Sequence, residues 1–332
     1  MNEIPNTPSI APEGHPIHTL MEEHNSVLGF AAEFVKSTEA LKELNSFEEA
    51  RELGSRITGI IDHFKASQKH YLREENVLFP YLEKHGVSGP PSQMWAEHDQ
   101  IRDCEKKIYA LMEEVGKANF SSFKSRLNSN AIALFDLLMT HYNKENKILF
   151  PMALKLFTEE EWQETIRQFN EIGYCCFSPK SALTTVEKAE TKTEEKLDSG
   201  GIDTGSGQLS TEELVAMLNT LPVEITFVDK DDTFRYFNKV KDAVFVRTVA
   251  AIGTKVQNCH PQKSVHMVNQ ILADFKSGAK DEVGFWIHLQ DKYVYIRYFA
   301  VRDQEGIYLG SMEVTQDIKD IQEISGDKRL MD

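Results

Sequence analysis

The stretch HYLREENVLFP (residues 70–80) recurs without gaps as HYNKENKILFP (residues 141–151). His, Tyr, Glu, Leu, Phe and Pro keep the same offsets, and Arg73 and Val77 are answered by Lys144 and Ile148. Upstream of each copy lies a second echo, MEEHNSVL around His24 and WAEHDQIR around His98. The region is therefore a repeat of two helix pairs. Each pair carries one His on its first helix and a His-x-x-x-Glu on its second.

The surroundings read as helix. From about Ile17 to Thr158, apolar residues recur at three- and four-residue spacing in LMEEHNSVLGFAAEFV, between Phe47 and Leu82, in MWAEHDQIRDCEKKIYALM, and between Phe123 and Phe157. Breaks are expected near Ser37–Ser46, Gly86–Ser92 and Gly116–Ser122. Four long helices with short connections predict an all-α antiparallel bundle over 15–157, after a flexible lead-in at 1–14. A fifth helix over 158–177 starts at Thr158, with Glu161 three residues on as in a capping box.

Helical geometry turns the repeat into a site. Positions four apart share a face, about 6 Å apart along the axis, so His70 and Glu74 point one way together, as do His141 and Glu145. Antiparallel neighbours bring His24 beside His70 and His98 beside His141. Two sets of two His and one Glu then face each other across the core, and each carboxylate can bridge two cations. Four imidazoles and two carboxylates suit iron, manganese or zinc, and are too nitrogen-rich for magnesium or calcium. Taken singly, each residue has a plainer explanation. A buried His can be satisfied by one hydrogen bond, Glu74 with Arg73 or Glu145 with Lys144 can be solvated charges, and the Leu-Phe-Pro segments can pack around a kink at Pro80 and Pro151. Together those explanations leave six buried polar side chains without partners, at several kcal/mol each. His63, seven residues before His70, is expected to be structural or to support a ligand. His18 and His15 are not counted as ligands.

On these residues the region resembles the hemerythrin-like family, the HHE cation-binding domains. The resemblance implies a four-helix bundle around a non-haem di-iron centre, with two Fe ions held by His24, His70, Glu74, His98, His141 and Glu145, in a family that binds oxygen and includes members responsive to nitric oxide, iron or redox state. Two positions depart from the oxygen-carrying members. Arg102 stands where they have a His one turn after the third-helix His, and His141-x-x-x-Glu145 replaces their His-x-x-x-x-Asp. The pattern is closer to the branch that includes iron-centre repair proteins.

From Ser178 the composition changes. Residues 178–209 are rich in Thr, Glu, Lys, Ser and Gly and read as a linker. Beyond it the pattern alternates in twos. VEITFVD, TFRYFN, EVGFWIHL, KYVYIRYFAV and GIYLGSMEV read as strands, and QKSVHMVNQILADFKSG reads as a helix ending at Gly278. LPVEITFVDKDDTFRYFN, CHPQKSVHMVNQIL and the meander ending GSMEVTQDI resemble a PAS domain, an α+β sensory and dimerising module, over 210–320, with 321–332 as a tail. His260 is a candidate haem ligand; the alternative is a structural His-Pro with Pro261 in the first helical turn. The sequence names no ligand for this domain. Phe285, Trp286, Tyr295 and Tyr298 are expected to pack in the core or on a dimer face.

The chain of 332 residues has room for two such domains, and its net charge of −15 disfavours nucleic-acid and anionic-membrane partners. No apolar run is long enough to span a bilayer, and MNEIPNTPSIAPEG lacks the features of a signal peptide. The four cysteines (Cys104, Cys175, Cys176, Cys259) show no zinc-type spacing, and the adjacent pair is a poor structural bridge, which favours a reducing cytoplasm. No hydrolase triad motif, phosphate-binding Gly loop or zinc finger is present. The leading expectation is a metal-binding sensor rather than an enzyme. Its diatomic ligand would be oxygen or nitric oxide, or it would sense redox or iron state; the PAS domain would relay the signal as a homodimer to a separate output protein. The alternatives are a di-iron enzyme or repair protein that reduces nitric oxide or peroxide or donates iron to damaged clusters, and an oxygen or iron store.

Overall fold

The computed structural model describes residues 7–184, 202–204, 207–327 and 329. The chain divides into two compact units, Met1–Lys192 and Thr193–Asp332. Much of the expected linker, part of the lead-in and part of the tail lie outside the described residues.

The first unit is helical. Its elements are α1 (Pro16–Ala40), α2 (Arg51–Ala66), α3 (Gln68–Arg73), α4 (Phe79–Lys84), α5 (Gly89–Glu113), α6 (Phe120–Lys144), α7 (Phe150–Leu156), α8 (Glu159–Ile172) and α9 (Lys180–Thr184). Local chemistry sets the ends. Pro16 sits in the first turn of α1, where its missing N–H costs nothing, and the His15 ring nitrogen accepts from the Ile17 amide at 3.1 Å. Asn119 caps α6 through the Ser122 amide. Thr158 and Glu161 form the reciprocal capping box expected of α8. Two breaks differ from expectation: α1 runs on to Ala40, and α5 begins at Gly89, because Pro90 and Pro91 are tolerated in a first helical turn. Phe34, Ile57, Phe64, Ile101, Ile108, Leu127, Leu134 and Leu138 fill the core between the long helices.

In both copies of the repeat a π-helical turn, Glu74–Leu78 and Glu145–Leu149, joins the helix before it to the helix after it. The Phe79 amide donates to the Glu74 carbonyl, and Phe150 to Glu145. The next residue is proline, which has no N–H and whose ring crowds the carbonyl four residues back; one wider turn relieves both problems. Each π turn begins at the Glu of the His-x-x-x-Glu pair.

The second unit holds a short strand pair, β1 (Ile202–Asp203) and β2 (Gln208–Leu209), and a five-stranded antiparallel sheet. The sheet strands are β3 (Glu224–Asp229), β4 (Phe234–Phe237), β5 (Glu282–Leu289), β6 (Lys292–Arg302) and β7 (Tyr308–Asp317), in the order β4-β3-β7-β6-β5. The fold class is therefore a helical bundle followed by an α+β domain. Gly310 is required where β7 meets β3, since a Cβ there would lie 2.2 Å from the Val228 carbonyl oxygen. The helix Gln262–Ser277 ends at Gly278 in the left-handed conformation, as its sequence predicts. Pro261 is its cap rather than part of its first turn. Phe285 and Trp286, on edge strand β5, are 41% and 61% exposed, so they are not core residues of this chain.

Candidate metal centre

All six residues singled out by the repeat converge. His24 comes from α1, His70 from α3, His98 from α5 and His141 from α6, while Glu74 and Glu145 open the two π turns. Each is at most 1% exposed. The Nε2 atoms of His24 and His70 lie 3.1 Å apart, and the rings of His98 and His141 have centroids 4.7 Å apart. Glu145 reaches both pairs, with Oε2 at 3.2 Å from His24 Nε2 and Oε1 at 3.1 Å from His141 Nε2. Glu74 Oε2 is 3.4 Å from the Nε2 of both His70 and His98. Two overlapping groups result, each with its donor atoms within 4.8 Å of one another: His24, His70, Glu74 and Glu145, and Glu74, His98, His141 and Glu145. Both carboxylates belong to both groups.

The outer layer fixes which ring nitrogen faces inward. His70 Nδ1 lies 2.7 Å from Glu23, His98 Nδ1 2.8 Å from Glu75, and His141 Nδ1 3.0 Å from Glu97. A carboxylate only accepts, so each of these rings carries its proton on Nδ1 and, when neutral, turns an Nε2 lone pair toward the centre. His24 Nδ1 is paired with Asn146 Oδ1 at 2.9 Å. Both oxygens of Glu74 and Glu145, and the Nε2 atoms of His98 and His141, have no hydrogen-bond partner among the described residues. Lone pairs and carboxylates facing one another in a dry core call for positive charge. The same demand shows in the titration of the rings. Burial opposes the charged form of His98 and His141, yet Glu145 and the other carboxylates raise both pKa values. Burial likewise opposes ionisation of Glu145, but His141, His24 and His98 hold its carboxyl well below the usual range.

Nearly every recurring position of the repeat has a place here. Tyr142 stacks on the His24 ring at 3.9 Å and Phe150 at 5.4 Å. Tyr71 tilts over His98 at 4.6 Å and Phe79 stacks on it at 5.8 Å. Tyr71 and Tyr142 meet at their hydroxyls, 3.2 Å apart. Arg73 and Lys144 each pair with a Glu of the neighbouring helix rather than with Glu74 or Glu145. Arg73 is fully buried and donates to Glu23 at 2.6 Å, and Lys144 donates to Glu97. Burial works against ionisation of Glu23 and Glu97, but Arg73 with His70, and His141 with Lys144, bring each carboxyl down to about 2.

Glu23, Glu75, Glu97 and Asn146 were not singled out from sequence, although a signal was present. A Glu precedes the first-helix His in both MEEH and WAEH, and a polar residue follows each Glu of the His-x-x-x-Glu pair. Arg102 points away from the centre, to Glu75 at 2.7 Å and Gln68 at 3.3 Å. His63 is not in the cluster. It stacks on Phe30 at 4.1 Å and faces Cys176. His15 caps α1 and packs against Trp162. In the second unit His260 is half-buried, and its Nδ1 donates to the Val256 carbonyl at 2.8 Å; desolvation lowers its pKa.

Comparison with known families agrees with this geometry. Residues 15–153 match the hemerythrin HHE cation binding domain. The chain carries a hemerythrin domain. A PAS domain follows it, matched over 214–319. Among curated relatives, the iron-sulfur cluster repair protein YtfE of Salmonella paratyphi B is 33% identical over 90 residues, which cover 26% of this chain and 40% of that protein. This chain thus spans less than half the length of the relative it matches. Among solved structures, a C-terminal domain from Streptococcus mutans is 39% identical, with a TM-score of 0.37, and the match covers 38% of this chain and 98% of that one. The PAS domain of a Colwellia psychrerythraea protein is 13% identical, with a TM-score of 0.26, over 33% of this chain and 97% of that one. No helix among the described residues is long and apolar enough to cross a membrane.

Proposed function

We propose that the hemerythrin domain holds two iron ions, one by His24 and His70, the other by His98 and His141, with Glu74 and Glu145 shared between them. The observation that carries this reading is the pair of buried carboxylates whose four oxygens lack donors while reaching histidines of both helix pairs. The mixed nitrogen and oxygen donor set suits iron. Bound there, two ions would supply a redox-active pair with coordination positions left for a diatomic ligand. The chain's residues do the rest: the Nδ1 partners fix each ring, the aromatic residues exclude water, and the ion pairs of Glu23 and Glu97 keep those carboxylates charged.

On this reading the protein senses oxygen, nitric oxide, or redox and iron state, and the PAS domain relays the signal. Exposed Phe285 and Trp286 on β5 support a homodimer through that domain. The match to YtfE favours a second reading, iron-centre repair. Metal content per chain, with an absorption spectrum before and after oxygen is admitted, tests the centre. Two irons and a new near-ultraviolet or visible band are expected; one metal or none refutes it. Sustained turnover of nitric oxide or peroxide with a reductant would move the assignment from sensor to enzyme.

A further inference from the structure

Beyond the centre, the structure places two adjacent thiols on opposite sides of one short segment. Cys176 is exposed, and its Sγ lies 3.8 Å from His63 Nδ1. The His63 ring is held flat on Phe30 and edge-on to Phe177, and it takes no part in the metal centre. Cys175 faces inward, buried, with Sγ 3.8 Å from Arg73 Nη2. Arg73 lies between the rings of Phe169 and Tyr174 and donates to Glu23, which accepts from His70 Nδ1. Ser178, two residues after Cys176, also donates to Glu23. The segment from Gly173 to Ser178 thus touches the outer hold on His70 at two points and offers solvent one thiol.

We propose that Cys176, with His63 as its base, is a peroxide-reactive thiol, and that Cys175 resolves it into a vicinal disulfide that releases the outer hold on His70. The thiolate is the nucleophile, so a lone pair on a fixed imidazole beside Cys176 is what the first step needs. The Cys176 sulfur attacks a peroxide oxygen; the O–O bond breaks, water leaves, and a sulfenic acid remains. The Cys175 sulfur then displaces the sulfenic hydroxyl as a second water, and an S–S bond forms. Two thiols are oxidised and one peroxide is reduced. Consecutive Cα atoms are about 3.8 Å apart, shorter than the roughly 4.4–6.8 Å usual for disulfides. Ring closure therefore bends the local backbone and draws Cys175 off Arg73. Gly173, at φ 85°, gives the segment a pivot. The thiol chemistry stands independently of the metal; only the effect at His70 rests on the reading above.

The test uses the full chain with its metal content measured. It is treated with one equivalent of hydrogen peroxide, the remaining thiols are alkylated, and peptides are mapped by mass. The expected product has lost two hydrogens on the peptide that carries Cys175 and Cys176. Cys175→Ser should stop at a sulfenic acid on Cys176, trapped by a 1,3-dione probe. His63→Phe keeps an aromatic ring on Phe30 and should slow oxidation of Cys176 about tenfold. Oxidation of Cys104 or Cys259 as fast as Cys176, or a sulfenic acid that persists while Cys175 is present, overturns the proposal. In the same samples, metal loss to a chelator should be about tenfold or more faster after ring closure. Unchanged release from a protein that binds two ions overturns the link to His70. A protein that binds none leaves the thiol result standing and refutes only the reading of the centre.

Discussion

Glu105→Gln should stabilise the bundle, and by an amount that grows with pH. Glu105 is 2% exposed and accepts from Gln68 Nε2 at 3.0 Å. Burial pushes its pKa from 4.5 up to about 8, against the opposing pull of Arg102, Tyr109 and Gln68. In the unfolded chain the carboxyl ionises near its ordinary value, while the folded chain keeps the proton. Between these two values the folded state binds one proton more, so stability falls as pH rises, by about 1.4 kcal/mol per unit. From pH 5 to pH 7 Glu105 alone should remove about 2.5 kcal/mol, a large share of the ~5–15 kcal/mol that holds a domain together. Glutamine keeps an acceptor for Gln68 and never ionises. The measurement is urea unfolding at pH 5, 6 and 7 at fixed metal, in a Trp286→Phe background, so that Trp95 and Trp162 report only the bundle. A difference between Glu105→Gln and its parent that stays constant across that range would refute the reasoning.

Other expectations are briefer. Glu74→Ala or Glu145→Ala should lose a shared carboxylate and at least one metal, whereas His63→Ala should keep both; elemental analysis of the three variants checks this. Glu23→Gln should lower metal affinity about 10–100-fold in chelator competition, because His70 loses its charged acceptor. The same change strands the buried Arg73 cation at a cost of about 3–5 kcal/mol, which adding Arg73→Met should recover in a denaturation series. Trp286→Glu should shift a PAS-mediated dimer to monomer in light scattering, and an unchanged mass would exclude β5 as the contact.

The inner layer of the site was legible because its spacing is local. His70 with Glu74, and His141 with Glu145, share a face by helical period alone, and the internal repeat pairs them with His24 and His98. The capping box at Thr158 and the stop at Gly278 were legible for the same reason: their signals lie within a few residues. The outer layer was not legible, because its partners are set by packing between distant helices. Asn146 is 122 residues from His24, and Glu23 is 50 from Arg73. The repeat marked Arg73 and Lys144 as matching positions, but only the packing shows that both serve a Glu on the neighbouring helix. The π turns were missed because the expected effect of Pro80 and Pro151 was a bend. A widened turn relieves the same clash.

The two halves of the repeat brace each other as well as themselves. Tyr71, Glu75 and Phe79 of the first copy hold His98 of the second pair; Tyr142, Asn146 and Phe150 of the second copy hold His24 of the first. This exchange makes the departures from symmetry informative. His98 and His141 are both backed by carboxylates, Glu75 and Glu97, whereas His24 is backed by the uncharged Asn146. An amide raises ligand basicity less than a carboxylate does, so the His24 and His70 side is the weaker donor pair. It is also the side where the added chain converges: α8 packs against α1, α3 and the first π turn, and Cys175 and Ser178 reach the Glu23–Arg73 pair. Val77 of the first copy is accordingly buried, while its counterpart Ile148 is 53% exposed. Under the sensor reading, the His24 and His70 half is the one built to respond. It has the weaker donor pair, and the Glu23–Arg73 pair behind His70 is touched by Cys175 and Ser178.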